Sequence, residues 1–88
     1  MIATDDKDKI CYLADKYGVE SVLLFGSAST SDTYNDIDIA VSGIKPELFF
    51  SFYGDLMMGL SKPIDLIDLS EKSLFTDMVR SEGIKLYG

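Results

Sequence analysis

The run Asp36-Ile37-Asp38-Ile39-Ala40-Val41 constrains the fold of this chain more than any other stretch. Isoleucine and aspartate alternate through it, and a strand sends successive side chains to opposite faces. Ile37, Ile39 and Val41 therefore share one face, while Asp36 and Asp38 share the other. A helix would scatter the same residues around its axis. The pattern calls for a sheet that buries one side of this strand and holds two carboxylates on the other.

The neighbouring segments supply the rest of such a sheet. Val19 to Phe25 reads as a strand that is apolar at both parities through Val22-Leu23-Leu24-Phe25, which suits a central strand covered on both faces. Gly26 to Asn35 has the Ser, Thr, Asp and Gly content of a loop. Pro63 to Leu69, "PIDLIDL", is a third strand with Asp65 on the face of Ile67 and Leu69, and Ile84 to Tyr87 is a short edge strand.

Helices fill the intervals. Thr4 is placed to cap a helix running to Tyr17, with Ile10, Leu13, Ala14 and Tyr17 at helical spacing and Gly18 to close it. Pro46 suits the first turn of a helix reaching about Leu60. Phe49, Phe52, Leu56 and Leu60 give that helix a core face, which leaves Phe50, Tyr53 and Met57 as a surplus apolar row and a possible homo- or hetero-oligomer contact through the 46–60 helix. Asp68-Leu69-Ser70-Glu71 matches a capping box ahead of a last helix, whose inner face is expected from Leu74, Phe75 and Met78 up to Gly83. These elements predict an α+β (α/β) fold in one domain, 1–88.

Totals narrow the function. Fifteen acidic against eight basic residues give a net charge of −7, which repels a phosphate backbone and disfavours nucleic acid as a partner. The single Cys11 allows no internal disulfide and reads as a small core residue. The N-terminus lacks the pattern of a secretory signal and no run is long enough to span a membrane, so a cytoplasmic protein is expected.

The carboxylates call for a partner. Two of them on one strand face lose hydration and repel, at a cost of several kcal/mol unless cations or donors offset it. No lysine or arginine occurs between Gly26 and Val41, and the chain has no histidine. A hard divalent cation such as Mg²⁺ remains, held by one or two carboxylates together with substrate phosphates. Asp36 and Asp38 suit it, and Asp65 on a neighbouring strand can complete a second metal position. Gly26-Ser27, at the end of a buried strand, supplies the complementary chemistry, because a glycine lets backbone N–H groups approach a phosphate and a serine hydroxyl adds a donor.

Leu23-Leu24-Phe25-Gly26-Ser27, Asp36-Ile37-Asp38-Ile39, Ile64-Asp65-Leu66-Ile67 and the ending Glu82-Gly83-Ile84-Lys85-Leu86-Tyr87 together resemble the minimal nucleotidyltransferases of the polymerase-beta-like superfamily, small proteins paired with HEPN-domain partners. The resemblance implies a nucleotidyltransferase fold, a small mixed β-sheet with helices packed on one face and an active-site cleft on the other. It implies that Asp36, Asp38 and Asp65 are catalytic and ligate Mg²⁺ in a two-metal site, and that Gly26 and Ser27 bind the triphosphate of ATP or another nucleoside triphosphate. The implied reaction moves a nucleotide monophosphate, AMP from ATP, onto a hydroxyl of a HEPN partner, which makes the protein the antitoxin of a toxin-antitoxin pair.

Two departures from the family pattern bear on that expectation. The loop from Ser27 to Asp36 is shorter than the usual form, and Ala28-Ser29-Thr30 stands where many relatives carry a basic residue. A phosphate then loses one charge-assisted contact, worth roughly 1.5–3 kcal/mol. Lys45, Lys62, Lys72 or Arg80 could substitute from elsewhere in the chain, although ordinary surface solvation is the simpler expectation for each. The alternative function is a non-catalytic module of the same fold that acts on its partner by contact alone, through Phe50, Tyr53 and Met57.

Overall fold

The structure is a computed structural model that describes residues 2–88. Helix α1 spans Thr4–Tyr17. Thr4 is its first residue and not its cap: Ala3 holds the cap position and offers no side-chain bond, so the acidic Asp5 and Asp6 complement the helix start electrostatically. Gly18 adopts φ 67° and closes the helix as expected, its left-handed backbone allowing the turn into the first strand.

Four strands follow as β1 (Ser21–Phe25), β2 (Ile37–Ser42), β3 (Ile64–Asp68) and β4 (Ile84–Tyr87). Their order in the sheet is β3-β2-β1-β4. β1 pairs antiparallel with β2 and β4, whereas β2 and β3 run parallel, so the sheet is mixed. The apolar stretch of β1 earns its central place by burying Val22 and Leu24 on one face and half-burying Leu23 and Phe25 on the other. Asp36 falls one residue ahead of β2, outside the ladder.

A short turn at Pro46–Leu48 leads into α2 (Phe49–Gly59), and α3 spans Leu74–Glu82. The main core lies between one sheet face and the pair α1 and α2, where Ile10 and Phe52 meet Leu24, Ile37 and Ile39. Asp6 is buried beneath this layer at 2% exposure, accepting from the Ser61 backbone N–H at 3.0 Å and from the Ser61 hydroxyl at 2.5 Å. Nothing in the helical periodicity distinguishes Asp6 from its solvated neighbours, because its partner stands far along the chain.

The expectation of helices on one face holds for α1 and α2. By contrast, α3 packs on the opposite face, where Val79 and Leu69 meet Ala40 and the half-buried Leu23, Phe25 and Ile67. Its capping box is Ser73 with Thr76, not Asp68 with Glu71; Asp68 Oδ1 instead accepts from the Ser70 N–H at 2.9 Å. That later start rotates the helix. Thr76 and Val79 face inward, and Leu74, expected inside, is 89% exposed.

Candidate active site

The site is assembled where the C-terminal end of β1 meets the N-terminal ends of β2 and β3. Phe25 pairs with Asp38 in the antiparallel register, and Asp38 pairs with Asp65 in the parallel one. Residues paired across strands point the same way, so Phe25, Asp38 and Asp65 form one row on a single face of the sheet, each about 4.7–4.9 Å from the next strand. This is the face opposite α1 and α2, on which the carboxylates were expected.

Gly26 ends β1 with φ 72° and ψ −161°, a conformation that only glycine adopts without strain. A Cβ at Gly26 would collide with Oδ2 of Asp38, so the turn and the carboxylate are in direct contact. Ser27 opens the short 3₁₀ turn Ser27–Ser29 and is exposed. Ala28 is fully buried and pins the turn to the core, while the Ser29 N–H and Oγ–H both donate to the Gly26 carbonyl, at 3.1 and 2.6 Å. The first N–H groups of such a turn lie outside its own ladder, which suits them to an anionic ligand.

Asp38 is half-buried and Asp65 is exposed on the sheet edge. Burial, then the charges of Asp65 and Asp36, push the Asp38 pKa above the usual aspartate range. The structure thus brings Asp38 and Asp65 together, and Asp36 joins them through its charge from the exposed loop end. Among the described residues no three His, Cys, Asp or Glu side chains gather tightly enough to cage a metal ion by themselves. The donor set nonetheless fits Mg²⁺, because neighbouring carboxylates on one strand face are the kind of hard oxygen site that this cation occupies while retaining water and phosphate ligands.

Sequence patterning missed Phe25 as a member of this row, since it read only as core. It also left the cations unplaced. Lys62 Nζ lies 5.0 Å over the Tyr34 ring, which brings a positive charge from the start of β3 to the loop just ahead of Asp36. Arg80 is committed elsewhere, donating from Nη2 to the Leu69 carbonyl at 2.7 Å. Lys45 follows the far end of β2.

Residues 8–88 match the family described as polymerase beta, nucleotidyltransferase. The chain belongs to this nucleotidyltransferase family. No protein of curated function matches the sequence. Among solved structures, this family member is similar to a toxin-antitoxin complex with AMP-PNP, at 29% identity and TM-score 0.75 over 93% of this chain and 73% of that one. It is also similar to a chain of the tri-AMPylated Shewanella oneidensis HEPN toxin in complex with MNT antitoxin, at 28% identity and TM-score 0.73 over 94% and 70% of the two chains. A third similar chain comes from the MntA-HepT toxin-antitoxin, at 26% identity and TM-score 0.71 over 94% and 70%. The mixed sheet and three helices are thus the nucleotidyltransferase fold that the motifs implied.

Proposed function

We propose that this nucleotidyltransferase is an antitoxin that transfers AMP from ATP to a hydroxyl of a HEPN partner in a Mg²⁺-dependent reaction. One observation carries the reading: the glycine turn that suits a triphosphate touches the same Asp38 carboxylate that pairs with Asp65. The similar structures with AMP-PNP and with an AMPylated HEPN toxin support ATP as donor and a protein as acceptor.

In this reading the backbone at Gly26 and the Ser27 hydroxyl hold the triphosphate against the end of β1. Asp38 and Asp65, with Asp36 beside them, would hold Mg²⁺, which when bound neutralises phosphate charge and favours the attacking alkoxide. The acceptor oxygen forms a bond to the α-phosphorus as the bond to the bridging oxygen breaks. Pyrophosphate leaves with the bridging oxygen, and the hydroxyl proton passes to solvent. The open sheet edge at Asp65 gives a protein acceptor room to approach, which a closed pocket would deny.

Incubation with the HEPN partner and ATP labelled at the α-phosphate tests this. Label on the partner that requires Mg²⁺ and disappears in Asp38→Asn is expected; partner binding with no label at any Mg²⁺ concentration would overturn it. A second reading, inhibition by contact alone, draws on Phe50 and Met58, exposed at 79% and 91% on α2. It requires that Asp38→Asn leave neutralisation of the partner intact.

A further inference from the structure

We infer that the cleft between the Gly26 turn and α3 receives the nucleobase of the donor nucleotide and that Glu82 selects a base bearing an exocyclic amine, adenine foremost. The inference rests on the nucleotidyltransferase reading and adds to it the place and chemistry of base recognition.

The cleft encloses about 700 Å³, the scale of small-molecule sites and ample for a nucleoside. One wall is the phosphate turn itself, through Gly26, Ser29 and Thr30, and the other is α3, through Phe75, Met78 and Glu82. Phe25 lines the cleft and is the strand neighbour of Asp38. The nucleoside hangs from the α-phosphorus near Asp38, one strand away from Phe25 at the cleft, so it reaches this opening by folding back across β1.

The lining has the chemistry of a base. Phe25 and Phe75 meet edge to face with centroids 5.8 Å apart, and Phe75 and Met78 are each 47% exposed, which leaves aromatic and thioether surface free to pack against a planar ring. The rotated phase of α3 explains this surface: with Val79 taking the core position, Phe75 and Met78 are turned to the cleft. A carboxylate accepts hydrogen bonds and cannot donate them, so Glu82 favours the amine of adenine and repels the carbonyl that uracil presents in its place. The hydroxyls of Ser29 and Thr30 already donate to the Gly26 and Ser27 carbonyls and act as wall, not as readers of the base.

Equilibrium binding of ATP, UTP and inorganic tripolyphosphate in Mg²⁺ tests the assignment on the intact protein. Phe75→Ala is expected to weaken ATP about tenfold, the loss of one stacked aromatic, while tripolyphosphate binds unchanged and so reports an intact fold and phosphate turn. Wild type is expected to prefer ATP to UTP, and Glu82→Gln to narrow that preference, because an amide can turn its NH₂ toward a carbonyl. Unchanged ATP affinity in Phe75→Ala overturns the base assignment, and does so equally if transfer to the protein acceptor falls, which would give the cleft to the acceptor. Failure of tripolyphosphate to bind the wild type overturns the phosphate reading beneath it.

Discussion

Asp38 and Asp65 stand opposite each other across the parallel β2–β3 pair, with Asp38 pressed against the backbone of Gly26. Partial burial and the neighbouring Asp65 and Asp36 charges make Asp38 harder to ionise than a free aspartate. The native fold therefore carries a local electrostatic penalty at neutral pH, and the penalty lies at the one place where Mg²⁺ and a triphosphate would relieve it.

That penalty sets a pH dependence. The folded pKa of Asp38 is raised above its ordinary value of 3.8, so the folded chain holds this proton more tightly than the unfolded chain. Its contribution is fully present below the ordinary value and is lost as pH rises through the folded one. Asp38→Asn removes the loss. In chelator at neutral pH the variant is expected to melt above wild type, with the gap closing as pH falls toward the ordinary value; thermal melts across that range would count against the assignment if the two proteins kept a constant difference.

Mg²⁺ is expected to raise the melting temperature of wild type, since a ligand that binds only the folded chain stabilises it by mass action. Asp38→Asn should lose most of that response, and Asp65→Asn should do likewise. A Mg²⁺-induced shift of equal size in all three proteins would place the ion elsewhere.

Gly26→Ala combines two costs, a backbone conformation closed to side chains and a collision with Asp38 Oδ2. The expected destabilisation is about 1–3 kcal/mol by urea unfolding, together with loss of tripolyphosphate binding. Retention of phosphate affinity in this variant would show that the turn does not hold the anion.

The sheet was legible because its signals are local. Alternation in Asp36–Val41, the apolar Val22–Phe25 and the left-handed Gly18 each declare a conformation within a few residues. The facing of Asp38 and Asp65 also follows from period two once their strands are neighbours. What could not be read depends on tertiary partners. Asp36 lies outside the strand because the ladder starts at Ile37, whose N–H donates to the Pro63 carbonyl at 2.9 Å. The phase of α3 turned on a choice between two capping boxes a few residues apart. The surplus row on α2 divided, since the Tyr53 hydroxyl reaches the Ile64 carbonyl at 3.1 Å and anchors inward, while Phe50 and Met57 stay outside and Met58 joins them.

Asp6 supports the fold from α1, which packs on the sheet face opposite Asp38. Its carboxylate accepts two hydrogen bonds from Ser61, and its removal strands a backbone N–H at the turn into β3. Asp6→Ala is expected to cost about 1.5–3 kcal/mol in urea unfolding, the range for hydrogen bonds to a charged group. ATP affinity measured under native conditions should be unchanged. A stability loss below about 0.5 kcal/mol, typical of surface positions, would mean that Ser61 is satisfied without it.

The exposed row on α2 separates catalysis from contact. Phe50 and Met58 project from the helix at 79% and 91% exposure, so Phe50→Ser with Met58→Ser should move unfolding stability by no more than about 0.5 kcal/mol per site. If this row docks the HEPN partner of the proposed function, the double variant is expected to weaken that association at least tenfold in an equilibrium binding assay. ATP affinity should not change, because α2 packs on the sheet face opposite Asp38. If transfer falls only in proportion to partner affinity, the row is a docking surface for the enzyme. If neutralisation of the partner follows this row and ignores Asp38→Asn, contact alone is the function and the carboxylate pair is a relic of the fold.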